Sequence, residues 1–384
     1  MVSGREMKIV IVVRILWTAG APKIAIQEAK ELKRLGHDVT LVFLRRAKTL
    51  GGYSDLLNDI DWKVMSEGRN SLFTPLYDYI TGLFMPDRRG EGRIDYDLLR
   101  KFPSFAKEVG ADYVICHDQW AGLAGYYTFR KYGIKYAVFL HERLSSFEVP
   151  ILGRLAQLYE KKVLKDASKV FAITEKVRNS AVGTYGINPI TNIPGIPDNC
   201  SNPFDKRKNV ILSVSMWDTG RHPHIYLKIA QEIQGFKLII AGNWRDPELK
   251  RKMGEEVKQM HLEDKVSFAD NLTEIQLSDL YRESKFLARF GYGEYGLGTT
   301  TLEAISFALP LIVNNELGTA ELIMDHKAGL VLDAETPQDI DVRKIVSFLE
   351  NNNNIDCYSA MQKGCEELVS KYTWEKHCRN LLNG

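Results

Sequence analysis

The chain has 384 residues, 45% hydrophobic and 26% charged, a composition that excludes a largely disordered protein and is long enough for two cores. No apolar run reaches the roughly 18–20 residues that span a bilayer, and no secretory leader follows the polar start at Met1–Lys8, so a cytoplasmic protein is expected. The formal net charge is +2, yet residues 1–190 hold 29 Lys and Arg against 21 Asp and Glu, and the remainder 22 against 28. A basic first half suits phosphates or an anionic membrane surface, or is simply a solvated surface.

In chain order, Lys8–Val13 is a short apolar run that predicts a strand. A small-residue loop, Thr18–Pro22, follows, then a helix-spaced stretch from Ile24 to Leu35, Gly36-His37, and a second strand over Val39–Leu44. That is a βαβ unit, which implies a parallel sheet covered by helices. Residues 68–93 interrupt the alternation with an aromatic segment, 71–86, followed by Arg88, Arg89 and Arg93. It suits a lipid-facing lid or a buried hairpin. Strands resume at Tyr113–Cys116, Tyr136–Leu140 and Lys169–Ile173. The first two end in His117 and His141, and ligands of open α/β sheets bind at the carboxyl ends of strands.

A stretch rich in proline, glycine and asparagine, 192–209, reads as a linker. Alternation then restarts with strands at Val210–Val214, Phe236–Ala241, Lys265–Phe268, Lys285–Phe290 and Pro310–Val313. Helices are expected between them, at Pro223–Ile233, Pro247–Met260, Gln276–Ser284 and Thr300–Phe307. The five cysteines, Cys116, Cys200, Cys357, Cys365 and Cys378, form no CxxC pair and give no zinc or disulfide pattern.

The segment from Gly293 to Asn315 carries the most chemistry. A glycine-containing turn with Gly298 leads into a helix starting near Thr299 and Thr300, so backbone N–H groups and the helix dipole face an anion such as a diphosphate. Glu303, within the first turns, can accept from two adjacent ribose hydroxyls or simply complement the dipole.

This segment resembles the donor-site motif of the family-4 retaining glycosyltransferases. Other stretches match in the same order: Gly20, Gly36-His-Asp-Val39, Ile193–Asp198, Gly318-Thr-Ala-Glu321, Gly329-Leu-Val331 and Tyr372-Thr-Trp-Glu375. The resemblance implies an α/β chain of GT-B architecture, two Rossmann-like doubly wound domains with an interdomain cleft. Residues 1–198 would bind the acceptor and 207–372 the nucleotide-sugar donor, with a helix over 373–384 returning to the first domain. It further implies metal-independent transfer with retention from a UDP- or GDP-type sugar, with no cofactor and no nucleic-acid partner. The acceptor would be a glycan, a lipid-linked sugar or a small molecule, with peripheral membrane contact.

By the same resemblance Arg221 grips the diphosphate, His141 reaches the transferred sugar, His117 lies nearer the acceptor, and Gly20 lets its loop approach the phosphates. Asn243 and Trp244 are expected near the base, with Trp244 stacking on it or simply packing. Two positions depart from the pattern. Eight residues before Glu303 stands Tyr295, with Glu294 one earlier, where the family has a glutamate on the sugar. Ser215-Met216 stands where Gly-Arg is usual, with Arg289 or His222 as substitutes. A weakly active or inactive nucleotide-sugar-binding relative, or an epimerase, are the alternatives.

Overall fold

The computed structural model describes residues 6–17, 19–46, 53, 56–66, 96–142, 158, 160–199 and 201–383. Two units emerge from the chain: residues 1–194 with 374–384, and residues 195–373. The aromatic segment 71–86 and Arg88, Arg89 and Arg93 lie outside the described residues, as does Cys200.

Unit 1 begins with β1 (Lys8–Leu16), α1 (Gly20–Arg34), β2 (Asp38–Arg46) and β3 (Asp61–Ser66). It continues with α2 (Tyr96–Glu108), β4 (Tyr113–His117), α3 (Gly122–Tyr132), β5 (Lys135–Leu140), β6 (Lys169–Ala172), α4 (Glu175–Tyr185) and β7 (Ile190–Thr191). The seven strands lie in the order β3-β2-β1-β4-β5-β6-β7, and every adjacent pair is parallel. Near-continuous apolar runs such as those of β1 and β5 suit strands covered on both faces. β1 runs three residues past the expected Val13, because Ile15 and Leu16 are also buried. α1 starts at Gly20, four residues earlier than its apolar spacing suggests, since Pro22 falls in the first turn where a missing N–H costs nothing.

Unit 2 contains β8 (Lys208–Val214), α5 (His224–Glu232), β9 (Lys237–Ala241), α6 (Pro247–Gln259), β10 (Val266–Ala269) and α7 (Glu274–Glu283). Then come β11 (Ser284–Arg289), α8 (Thr299–Ser306), β12 (Leu311–Asn314), α9 (Ala320–Asp325), β13 (Gly329–Leu332), α10 (Val342–Asn352) and α11 (Ile355–Lys371). Its parallel sheet runs β10-β9-β8-β11-β12-β13. The last helix, α12 (Trp374–Asn383), belongs with unit 1 and packs on α1. In each sheet the order reverses at one place, between β1 and β4 and between β8 and β11, which is where such sheets bind ligands.

Arg207, expected within a loose linker, is a buried structural residue of unit 2. Its guanidinium donates to the carbonyls of Asn202, Tyr281, Ser284 and Phe307 at 2.6–3.1 Å. These include carbonyls at the ends of α7 and α8, which have no partner within their helices.

Candidate active site

In unit 2 the reversal point is furnished by the segments after β8 and β11. After Arg289 the chain turns through Phe290–Gly298 into α8. Buried Asn314 pins this turn, accepting from Gly291 N–H at 2.9 Å and donating to the Gly291 carbonyl at 2.7 Å. Gly318 N–H donates to the Gly296 carbonyl at 3.1 Å. Gly298 precedes α8 with φ 62° and ψ 96°, a left-handed backbone that favours glycine. No side chain caps α8, and its first turn holds no acidic residue. The amides of Thr299 and Thr300 therefore open onto the positive end of the helix. Thr301 spends its hydroxyl on the Leu297 and Gly298 carbonyls, both at 2.7 Å.

Glu303, half-buried, accepts from the Tyr281 hydroxyl at 2.8 Å. Burial, and next the Glu303 carboxylate, keep that phenol protonated well above its ordinary range. Glu294 lies between two guanidiniums. Its Oε1 pairs with Arg221 and its Oε2 accepts from Arg289 at 2.7 Å. Arg289, only 5% exposed, closes strand β11. The carboxylate that stands one residue early in the sequence is thus the one that meets the arginines.

At the other departure, Met216 Sδ lies 2.9 Å from Arg245 Nε, and Arg245 pairs with Asp218 at 3.1 Å. A cation supplied from the segment after β9 stands beside the position where one is missing. His222 lies edge-on to Tyr292, ring centroids 5.3 Å apart. Trp244 stacks on Trp217 at 5.8 Å and meets Phe268 edge-on, so it packs against the core of unit 2. Asn243, exposed, accepts from the Asn271 amide at 3.0 Å. The adjacent Gly242 admits no side chain, since a Cβ there would sit 2.0 Å from the Ser215 carbonyl oxygen.

In unit 1, Gly20 is the first residue of α1, whose N-cap Ala19 offers no side-chain cap. His117 closes β4 fully buried, with Nε2 2.8 Å from Glu28 Oε2 and Nδ1 2.8 Å from His141 Nε2. Both of its nitrogens are thus engaged inside the protein. Glu28 Oε1 lies 2.8 Å from Nε2 of His377 on α12, and His377 Nδ1 lies 3.1 Å from the Ile193 carbonyl. Burial alone would raise the Glu28 carboxyl, but its two imidazole partners, His117 first and then His377, bring it down to about 2. Burial first, and then His117, push the half-buried His141 well below its usual range, so it is uncharged at neutral pH.

Neither Glu28 nor His377 stands out as a site residue in the sequence. The available signal is a glutamate set four residues after Ile24 and four before Leu32, on the apolar face of α1, where a charge needs a buried partner. Among the described residues, no group of three or more His, Cys, Asp or Glu is arranged to hold a metal ion, and no helix is long and apolar enough to cross a membrane.

Two parallel doubly wound units give the GT-B fold, and unit 2 presents an uncapped helix start beside paired arginines. The model of the family described as Glycosyltransferase Family 4 matches residues 18–196, and that of Glycosyl transferases group 1 matches residues 198–363. The chain is thus similar to the family-4 glycosyltransferases over its first half and to the group 1 glycosyl transferases over its second. Sucrose synthase 2 of Arabidopsis thaliana is 25% identical over 199 residues, 46% of this chain and 24% of that protein. Spore coat protein SA of Bacillus subtilis is 25% identical over 189 residues, 46% of this chain and 48% of its own. The chain thus aligns with about a quarter and about half of these relatives. HepE of Anabaena, in a crystal structure with UDP and glucose, shares the fold with a TM-score of 0.75 at 16% identity, over 98% of both chains.

Proposed function

We propose that this protein transfers a glycosyl group from a nucleoside-diphosphate sugar to a sugar, lipid-linked or small-molecule acceptor, with retention and without a metal ion, on the cytoplasmic side of the membrane. The observation that carries the reading is the anion site of unit 2. The open amides at the start of α8 lie in one loop system with Glu294, which is held by Arg221 and Arg289. In this reading the diphosphate takes the α8 amides and Arg221, so protein cations and dipoles meet its charge. Glu303 accepts from the ribose hydroxyls, and Glu294, relieved of Arg221, accepts from hydroxyls of the sugar. In unit 1, His141 is the residue proposed to meet substrate.

The bond from the anomeric carbon to the diphosphate oxygen breaks as the acceptor oxygen adds on the same face, and the acceptor proton passes to the departing phosphate. Charge grows on the diphosphate during this step, and preorganised arginine and amide donors stabilise it more than they stabilise the ground state. The basic bias of residues 1–190 favours an acceptor at an anionic surface. Flotation with anionic vesicles checks this, and unbound protein removes the preference.

Titration calorimetry with UDP and GDP tests the donor site, UDP first because HepE was solved with it. One nucleotide is expected to bind, and more weakly to Glu303→Ala. Failure of both to bind overturns the reading in favour of a relative that has lost its donor.

A further inference from the structure

Four titratable side chains of unit 1 form one connected chain from inside to surface: His377 of α12, Glu28 of α1, His117 of β4 and His141 after β5. The first three are at most 1% exposed. The Phe139 ring lies against all three imidazoles, with centroids 5.0–5.7 Å away. The Trp374 ring meets His377 edge-on, and the Cys378 thiol lies near the Glu28 carbonyl. Asp118, which follows His117, lies 3.8 Å from Arg14 of β1.

The partners at the inner end fix the protons. The Ile193 carbonyl can only accept, so His377 Nδ1 carries hydrogen. An ionised Glu28 can only accept, so His377 Nε2 and His117 Nε2 both donate to it. His377 with two N–H groups is an imidazolium, and it balances the one negative charge of Glu28. A second imidazolium at His117 would leave an unmatched charge in a site closed to water, which burial opposes. His117 is therefore neutral with a lone pair on Nδ1, and His141 donates to it through Nε2. That leaves a lone pair on His141 Nδ1, which has no partner among the described residues.

We propose that Glu28 and His377 are positioning residues that hold His141 as the neutral Nε2–H tautomer, so that its Nδ1 accepts a hydrogen bond from a substrate hydroxyl. The proposal rests on the assignment of His141 to the glycosyl-transfer reaction. It makes α12, through a residue remote in the chain from the donor motif, a determinant of substrate recognition. It also sets a specificity: a substrate whose corresponding hydroxyl is replaced by hydrogen or by O-methyl has no proton to give and is a poor substrate.

Long-range proton–nitrogen NMR of the full chain, labelled with nitrogen-15 histidine and assigned with His141→Gln and His377→Gln, reads the tautomers without turnover. Expected at neutral pH are a bare Nδ1 with protonated Nε2 on His141, and two protonated nitrogens on His377. Glu28→Gln keeps the shape but replaces one acceptor oxygen by a donor, so one imidazole must turn over. Its His141 tautomer is expected to change, and kcat with a nucleotide sugar to fall about 10- to 100-fold, as when the outer partners of metal-bound histidines are removed. The nucleotide Kd, set in unit 2, stays unchanged. A wild-type His141 protonated on Nδ1, or a neutral His377, overturns the proposal even if no variant folds. So does a His141 tautomer unaltered in a folded Glu28→Gln. Correct tautomers in a wild type that turns over no nucleotide sugar would instead condemn the glycosyl-transfer reading and leave the buried chain standing.

Discussion

Glu28 is a carboxylate enclosed in apolar surroundings, and its ionisation ties the stability of unit 1 to pH. Its folded value of about 2 lies below the ordinary 4.5. A depressed carboxyl stabilises the fold above its unfolded value and loses that contribution as pH falls towards its folded one. About 3 kcal/mol is expected to vanish between roughly pH 4.5 and 2. Acid titration followed by circular dichroism should show this loss in the wild type and a shallower one in Glu28→Gln. In unit 2, Arg221→Met removes a charged donor to the proposed diphosphate, an interaction worth about 1.5–3 kcal/mol. A fall in kcat/KM of roughly 10- to 100-fold is expected, with unfolding by urea nearly unaltered. An unchanged kcat/KM would remove Arg221 from the donor site.

Elements were more legible in the sequence than contacts were. β5 and β11 are apolar runs between clear turn signals, and their observed limits lie within one residue of the expected ones. The glycine turn before α8 was readable because an uncapped helix start needs small residues. The chain from Glu28 to His377 was not, since its ends stand 349 residues apart and nothing local in α12 announces a partner. The burial of His117 was hidden for a related reason: a strand-end histidine looks the same in sequence whether it turns to solvent or to a buried carboxylate. Gly298→Ala puts a side chain on a left-handed backbone at a cost of about 1–2 kcal/mol. A chain that relaxes to avoid that cost re-aims the first amides of α8, so the nucleotide Kd should rise about 10-fold, measured by calorimetry. Arg207→Met strands buried carbonyls at the ends of α7 and α8. About 3–5 kcal/mol of the stability of unit 2 should be lost in urea unfolding, with no change at the donor residues themselves.

At the scale of the molecule, two units with the same kind of sheet divide the labour unequally. The proposed phosphate chemistry sits where β8 and β11 part, while unit 1 contributes a histidine and its buried support. A chain ending at Thr373 keeps every element of unit 2 but uncovers α1 and leaves Glu28 without its imidazolium. Scanning calorimetry of that truncation should show the transition of unit 1 lowered or lost, because a buried charge stripped of its partner costs about 3–5 kcal/mol. Retention of the full wild-type transition would mean that α12 contributes little to unit 1.

The return of α12 to unit 1 also bears on the order of events at the ribosome. About 180 residues separate Pro194 from Trp374, so at roughly 5–20 residues per second the nascent first unit waits on the order of 10–40 s for its closing helix. Through that interval the groove on α1 stays open, with an acidic side chain at its centre. The first part of the chain to be made is therefore the last to be finished, and a chaperone that shields apolar helix faces would find its client there.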